Sequence, residues 1–133
     1  MRRDAREVVF KVLYSELYAD VQDDLFSDLC GEFKLTPQET EFAKKMLEAI
    51  RENKAALNEA IGELANNYNF ERVYPTDKCA LYLGLAEMTY VKDAPYIVAI
   101  DEALSLCKKY SDASSVGFVN GIFAEYIKRN KIA

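Results

Sequence analysis

Arginines followed by aromatic residues form the group of side chains near the N-terminus that is best suited to binding chemistry. Arg2, Arg3 and Arg6 precede Phe10 and Tyr14. On a helix, at about 100° per residue, the last four of these lie within roughly 80° of one another, and Arg2 extends the same edge. Arginine donates forked N–H groups to phosphate, and aromatic rings offer stacking surfaces to single-stranded nucleic acid. The spacing is therefore compatible with an RNA-binding stripe.

A second interpretation of this stripe is plain core packing. The opposite side of the helix is apolar, and a helix with apolar residues on two faces is usually buried on both. Phe10 and Tyr14 would then belong to the core. The spacing alone leaves both interpretations open. The core residues expected on the apolar side are Ala5, Val8, Val9, Val12 and Leu13.

Catalytic and metal-binding chemistry is not expected. The chain has no histidine, the commonest general base and zinc ligand, and it has no Gly-rich phosphate loop. Asp101 and Glu102 resemble an acid pair, but adjacent helix positions point about 100° apart, so a solvated face is the better interpretation. We expect no enzymatic activity, no cofactor and no metal. Three cysteines, widely spaced among apolar residues, are interpreted as reduced core residues: Cys30, Cys79 and Cys107.

The charge distribution disfavours a general polyanion binder but permits a local basic site. The net charge is −5, and residues 20–63 carry eleven acidic against five basic side chains. Neutralising many phosphates needs clustered cations, which this middle segment lacks.

No apolar run follows Arg3, and no stretch approaches the roughly 18 apolar residues of a membrane span. We therefore expect a cytoplasmic protein without membrane association.

Apolar residues recur at three- and four-residue steps nearly throughout, which predicts an all-α fold. The pattern predicts helices over 3–19 and 21–33, and a helical stretch from Thr36 to about residue 65, either continuous or interrupted by a break, with a capping box at its start. Further helices are predicted to begin near Pro75, after Pro95 and after Ser115. The polar segment 66–69 is the predicted boundary between two halves of a single domain, about 1–66 and 70–133.

Four blocks of sequence resemble the NusB family of transcription antitermination factors. Residues 2–7 (RRDARE) are similar to the family's opening signature. Residues 94–103 (APYIVAIDEA) and 118–122 (FVNGI) are similar to its two C-terminal blocks, and residues 83–88 (LGLAEM) match the helix before them. The blocks follow one another in the family's order and separation, so the resemblance extends over nearly the whole chain.

The resemblance implies a compact bundle of about seven helices in two subdomains. It also implies bacterial transcription work without catalysis, in which the protein binds single-stranded boxA RNA together with the ribosomal protein NusE. That complex joins the RNA polymerase elongation complex and supports transcription of ribosomal RNA operons. Both monomers and homodimers are compatible with the family.

The resemblance also assigns roles to individual residues. Asp77 falls where the family uses an acid toward NusE, although an acid that complements the helix dipole is an equal alternative. Phe118 matches a ring at the RNA surface, with core packing as its alternative, and Asn120 and Gly121 are assigned to packing between helices. The RNA-binding residues implied by the resemblance are Arg2, Arg3, Arg6, Tyr14 and Phe118.

Two departures from the family pattern weaken the expected RNA site. Asp4 interrupts the arginine run, and Gly117 stands where relatives usually place a basic residue. Each lost phosphate contact lowers affinity, so we expect weaker RNA binding and greater reliance on NusE. One alternative is a NusB-fold protein–protein interaction module with weak or lost RNA binding. Another is a stand-alone counterpart of the NusB-like domain of ribosomal RNA cytosine methyltransferases, which would need another chain for catalysis.

Overall fold

The computed structural model describes residues 2–18, 24–65 and 73–130, and these residues are helical with no strand. The all-α prediction is confirmed, and so is the expected number of helices. The predicted boundary at residues 66–69 lies outside the described residues. The helices are α1 (Arg2–Glu16), α2 (Leu25–Glu32), α3 (Pro37–Glu52), α4 (Lys54–Leu64), α5 (Pro75–Ala86), α6 (Tyr96–Tyr110) and α7 (Ala113–Arg129), with a π-helical segment (Glu87–Val91) directly after α5.

Helix α3 begins with the predicted capping box. The Glu39 N–H donates to the Thr36 hydroxyl at 3.1 Å, and the Thr36 N–H donates to the Glu39 carboxylate at 2.9 Å. These bonds satisfy two of the backbone donors that a helix start leaves open. Asp112 caps α7 in a similar way, accepting from the Ser115 N–H at 2.9 Å. The predicted helix from Thr36 to residue 65 breaks at Asn53, which separates α3 from α4.

Helix α1 lies at the centre of the fold. It packs against α2 and α3 of the first half and against α5 and α6 of the second half. A single apolar core includes residues of all seven helices, so the two halves share their interior. The predicted core face of α1 is confirmed, since Ala5, Val8, Val9, Val12 and Leu13 are all buried.

The π-helical segment redirects the chain between α5 and α6. It ends at Lys92, whose backbone is left-handed (φ 55°, ψ 32°) and whose N–H donates to the Glu87 carbonyl at 2.8 Å. A π turn inserts one residue and rotates the side chains that follow it. Glu87, the first residue of the segment, points into the core, and Asp93, which lies just after the segment, emerges beside the first turn of α1.

The cysteines are free thiols. Cys79 and Cys107 are buried, as predicted, and Cys30 is partly buried. Burial raises the pKa of the Cys79 and Cys107 thiols to about 12, so both remain protonated at neutral pH.

Within the described ranges, no helix is long and apolar enough to cross a membrane, and no grouping of acidic, histidine or cysteine side chains fits a metal ion.

Candidate nucleic-acid interface

The first turn of α1 exposes two of the three arginines, which we call the arginine end (Arg2 and Arg3). Arg3 is 64% exposed and donates to both carboxylate oxygens of Glu102 on α6, at 3.1 and 3.3 Å. The Arg2 guanidinium lies 4.3 Å from the centre of the Phe42 ring and 3.8 Å from an Asp93 oxygen. The arginine end thus faces solvent, with each guanidinium beside an acid.

Arg6 is placed differently from Arg2 and Arg3. It is only 4% exposed, and its guanidinium donates to both oxygens of the buried Glu87 carboxylate, at 2.8 and 2.6 Å. Glu87 begins the π-helical segment, so this pair ties α1 to the second half of the chain. The RNA contact expected of Arg6 would require the buried pair to open.

The middle of the stripe is also covered. Phe10 is buried and stacks on Tyr110 of α6, with ring centres 5.1 Å apart. Glu7 accepts a hydrogen bond from Lys109 at 2.7 Å and another from Tyr110. Burial works to raise the pKa of Glu7, but these two hydrogen bonds and the charges of Lys109 and Lys11 outweigh burial and hold it below its ordinary value. Core packing is therefore the correct interpretation for Phe10.

Tyr14, by contrast, is exposed and belongs to a run of aromatic side chains. Its ring centre is 5.2 Å from that of Tyr18, and it lines a hollow of about 330 Å³ together with Tyr74 and Tyr110. Tyr74 in turn lines an adjoining hollow of about 150 Å³ with Phe118 of α7. We call these five side chains the aromatic tract: Tyr14, Tyr18, Tyr74, Tyr110 and Phe118.

The aromatic tract brings together Tyr14 and Phe118, the two rings that the family resemblance assigns to the RNA surface. Phe118 is only partly buried and packs against the core, whereas its contact with RNA stays a prediction. Tyr18 and Tyr74 were missed by the sequence analysis, although the four-residue step from Tyr14 to Tyr18 was a visible signal. Tyr74 had no such signal, because it precedes α5 in an irregular segment.

Asp77 lies beneath the aromatic tract and is 2% exposed. Its carboxylate accepts from the Ser111 hydroxyl at 3.4 Å and from the Cys107 thiol at 3.7 Å. Burial raises the pKa of Asp77, and hydrogen bonds from Ser115, Cys107 and Ser111 offset only part of that rise. A partner would reach this carboxylate only after the surrounding side chains move.

The exposed face of α7 corrects one assignment. Asn120 and Gly121 were expected to pack between helices, but both lie at the surface. A Cβ added at Gly121 would meet nothing within 4 Å, and the same is true of Gly117. The packing assignment is therefore wrong, because this side of α7 has no neighbouring helix among the described residues.

Comparison with known proteins relates nearly the whole chain to one protein family. The model of the NusB family matches residues 3–128. The transcription antitermination protein NusB of Methylacidiphilum infernorum is 36% identical over 129 residues, covering 96% of this chain and 90% of the relative.

Two solved structures have closely similar folds. NusB from T. maritima has a TM-score of 0.87 at 29% identity, covering 96% of this chain and 91% of the other. A crystal structure of the antitermination factors NusB and NusE in complex with double-stranded RNA gives a TM-score of 0.86 at 26% identity and covers 96% of both chains.

Proposed function

Because the chain belongs to the NusB family, we propose that it is a transcription antitermination factor that binds single-stranded boxA-type RNA together with the ribosomal protein NusE. It acts in the cytoplasm, without catalysis, and joins the RNA polymerase elongation complex through NusE and RNA during transcription of ribosomal RNA operons. The observation that carries this proposal is the exposure of Arg3 and Tyr14 on one helix, a phosphate donor near one end and a stacking ring near the other.

The dimensions of α1 suit an extended RNA strand. Tyr14 lies eleven positions after Arg3, which is about 16 Å along a helix. Lys11 and Lys109 lie between them, near Tyr110. Phosphates would bind at the arginine end, where the helix N-terminus adds a positive dipole. Bases would stack on the aromatic tract.

Arg6 and Asp77 have supporting roles in this proposal. Arg6 fixes α1 against Glu87 and so positions the arginine end, and it contacts RNA only if that pair opens. Asp77 holds Ser111 at the turn between α6 and α7, beneath the hollows of the aromatic tract. NusE is present in the similar RNA complex, and we propose that it contacts the surface that Asp77 supports.

One observation favours the alternative of a protein–protein interaction module with weak RNA binding. All three arginines of the expected RNA segment already pair with an acid, so α1 presents little uncompensated positive charge. Under this alternative NusE, or another protein, would bind with the same affinity whether or not RNA is present.

Fluorescence anisotropy with labelled RNA separates the two functions. The probes are a boxA-type single strand, a scrambled strand and a duplex of the boxA-type sequence, each at two salt concentrations with and without NusE. We expect the boxA-type single strand to bind best, NusE to strengthen its binding and salt to weaken it. Equal binding of the boxA-type and scrambled strands under every condition would contradict the proposal, and preference for the duplex would contradict its single-strand part.

Two substitutions with matched controls locate the RNA surface. Arg3→Ala removes a phosphate donor and should weaken binding and flatten its salt dependence, whereas Arg129→Ala removes an exposed arginine at the far end of α7. Tyr14→Ala should cost roughly 1–3 kcal/mol of binding if one base stacks there. Tyr90→Ala is its control, because Tyr90 is similarly exposed (43% against 38%) but lies outside the aromatic tract. Equal losses from a substitution and its control would contradict this location.

A further inference from the structure

Two acidic side chains from the second half of the chain form ion pairs with the arginine end. Glu102 of α6 accepts from Arg3 with both oxygens, at 3.1 and 3.3 Å. Asp93, after the π-helical segment, lies 3.8 Å from Arg2 and accepts from Lys45 of α3 at 3.3 and 3.5 Å. Two carboxylates from separate elements thus meet three cations at the first turn of α1.

The backbone fixes these carboxylates where an anion is favoured. The left-handed turn at Lys92 places Asp93 beside α1, and α6 carries Glu102 with its side chain mostly buried. The N-terminus of α1 adds a positive dipole and open N–H groups at the same place. Arg3 is far more exposed than Glu102, so the acid is held in place while the arginine is the partner that can turn away.

We propose that Asp93 and Glu102 compete with RNA phosphate for the arginine end and thereby set the RNA affinity of the free protein. This inference rests on the proposed function. RNA binds by displacing the two carboxylates, each of which then lies close to a phosphate of like charge. The isolated chain binds RNA weakly for this reason, and contacts made by NusE supply the missing affinity.

The competition is confined to the pairs whose arginine is exposed. Such pairs are weak because solvent screens the arginine, so phosphate can replace Asp93 and Glu102 as its partner at low cost. The buried pair of Arg6 and Glu87 is not exchanged in this way, because separating it would leave a buried charge without a partner. Screening by salt weakens exposed pairs and phosphate repulsion together, so the influence of the two acids fades as ionic strength rises.

The test measures RNA binding by the full chain after each acid is neutralised. Asp93→Asn and Glu102→Gln should each tighten binding of the labelled boxA-type strand by about two- to fivefold at low salt. The gain should disappear near 1 M salt, where the Debye length is about 3 Å. Asp101→Asn is the matched control, since Asp101 precedes Glu102, is exposed and carries the same charge. An equal gain in this control would overturn the proposal, because it would reflect net charge alone.

A double substitution identifies the arginine that is released. Glu102→Gln should tighten binding less when Arg3 is already alanine, because only the repulsion of phosphate is then relieved. If it tightens binding equally in both backgrounds, or if neither neutralised variant binds more tightly than the natural chain, the competition is refuted. The change in affinity caused by each substitution is measured for both the boxA-type and the scrambled strand. Failure of the proposed function appears instead as a lack of preference between the two strands by the natural chain with NusE.

Discussion

Arg6 has the same side chain as Arg2 and Arg3 but a different physical role. At the surface a guanidinium can exchange a carboxylate for a phosphate at little cost. In the interior, the charge of Arg6 is balanced by Glu87, and both side chains are almost completely buried. Arg6 is therefore part of the interior of the fold, whereas the arginine end lies at the surface.

Arg6→Ala should lower the free energy of unfolding by about 3–5 kcal/mol, because Glu87 would keep a buried charge without its partner. Urea denaturation followed by circular dichroism measures this loss. Replacing both residues, Arg6→Met with Glu87→Leu, should restore most of the stability, since an apolar pair of similar volume needs no charge balance. A loss below about 1 kcal/mol in Arg6→Ala would show that the interior tolerates the lone carboxylate.

Arg6 and Tyr14 show which features of the candidate site the sequence predicts and which it does not. The helical spacing correctly grouped these residues on one side of α1, and the family resemblance selected Tyr14 as a surface ring. Burial depends on what the neighbouring helix carries, and Glu87 is 81 residues away from Arg6 in sequence. Local periodicity contains no information about that contact, so the buried ion pair could not be predicted.

At the scale of elements, helix starts were predictable because their signals are local. Thr36 with Glu39 and Pro75 mark helix starts that the structure contains, whereas α7 begins at Ala113, before the start predicted after Ser115. The π-helical segment had no such signal, since its sequence continues the apolar pattern of α5. The exposed side of α7 was likewise misjudged at Asn120 and Gly121, because packing partners are set by tertiary contacts.

The crossing of α5 and α7 depends on the absence of a side chain at Gly84. A Cβ built at Gly84 would lie 2.3 Å from the buried Phe123 ring, closer than two non-bonded carbon atoms approach each other. Gly84→Ala should therefore destabilise the fold by about 1–3 kcal/mol through overpacking. Thermal and urea denaturation measure the change.

Gly62→Ala is the matched control for this crossing. Gly62 lies inside α4 and an added Cβ meets nothing within 4 Å, so alanine should stabilise it by up to about 1 kcal/mol. Adding Phe123→Leu to Gly84→Ala should cost less than the sum of the two single changes, because the smaller side chain makes room. Additive losses would show that the Phe123 ring is not the cause.

At the scale of the molecule, α1 joins the two halves through polar contacts as well as through the core. Glu7 is the central link, since it accepts hydrogen bonds from Lys109 and Tyr110 at the end of α6. Tyr110 also belongs to the aromatic tract and stacks on Phe10. Protonation of Glu7 would thus weaken the contact that holds α6 beside the proposed RNA surface.

The pH dependence of stability tests this link. Because the pKa of Glu7 is held below its ordinary value of 4.5, its contribution is present above about pH 4.5 and is lost as the pH falls through the lower folded-state pKa. Glu7→Gln should therefore unfold more easily at neutral pH, and its stability should converge with that of the natural chain in acid. Urea denaturation between pH 7 and pH 3 measures both curves. Asp101→Asn, at an exposed site, should follow the natural curve; a constant difference between Glu7→Gln and the natural chain at all pH values would mean that Glu7 acts by packing and not by charge.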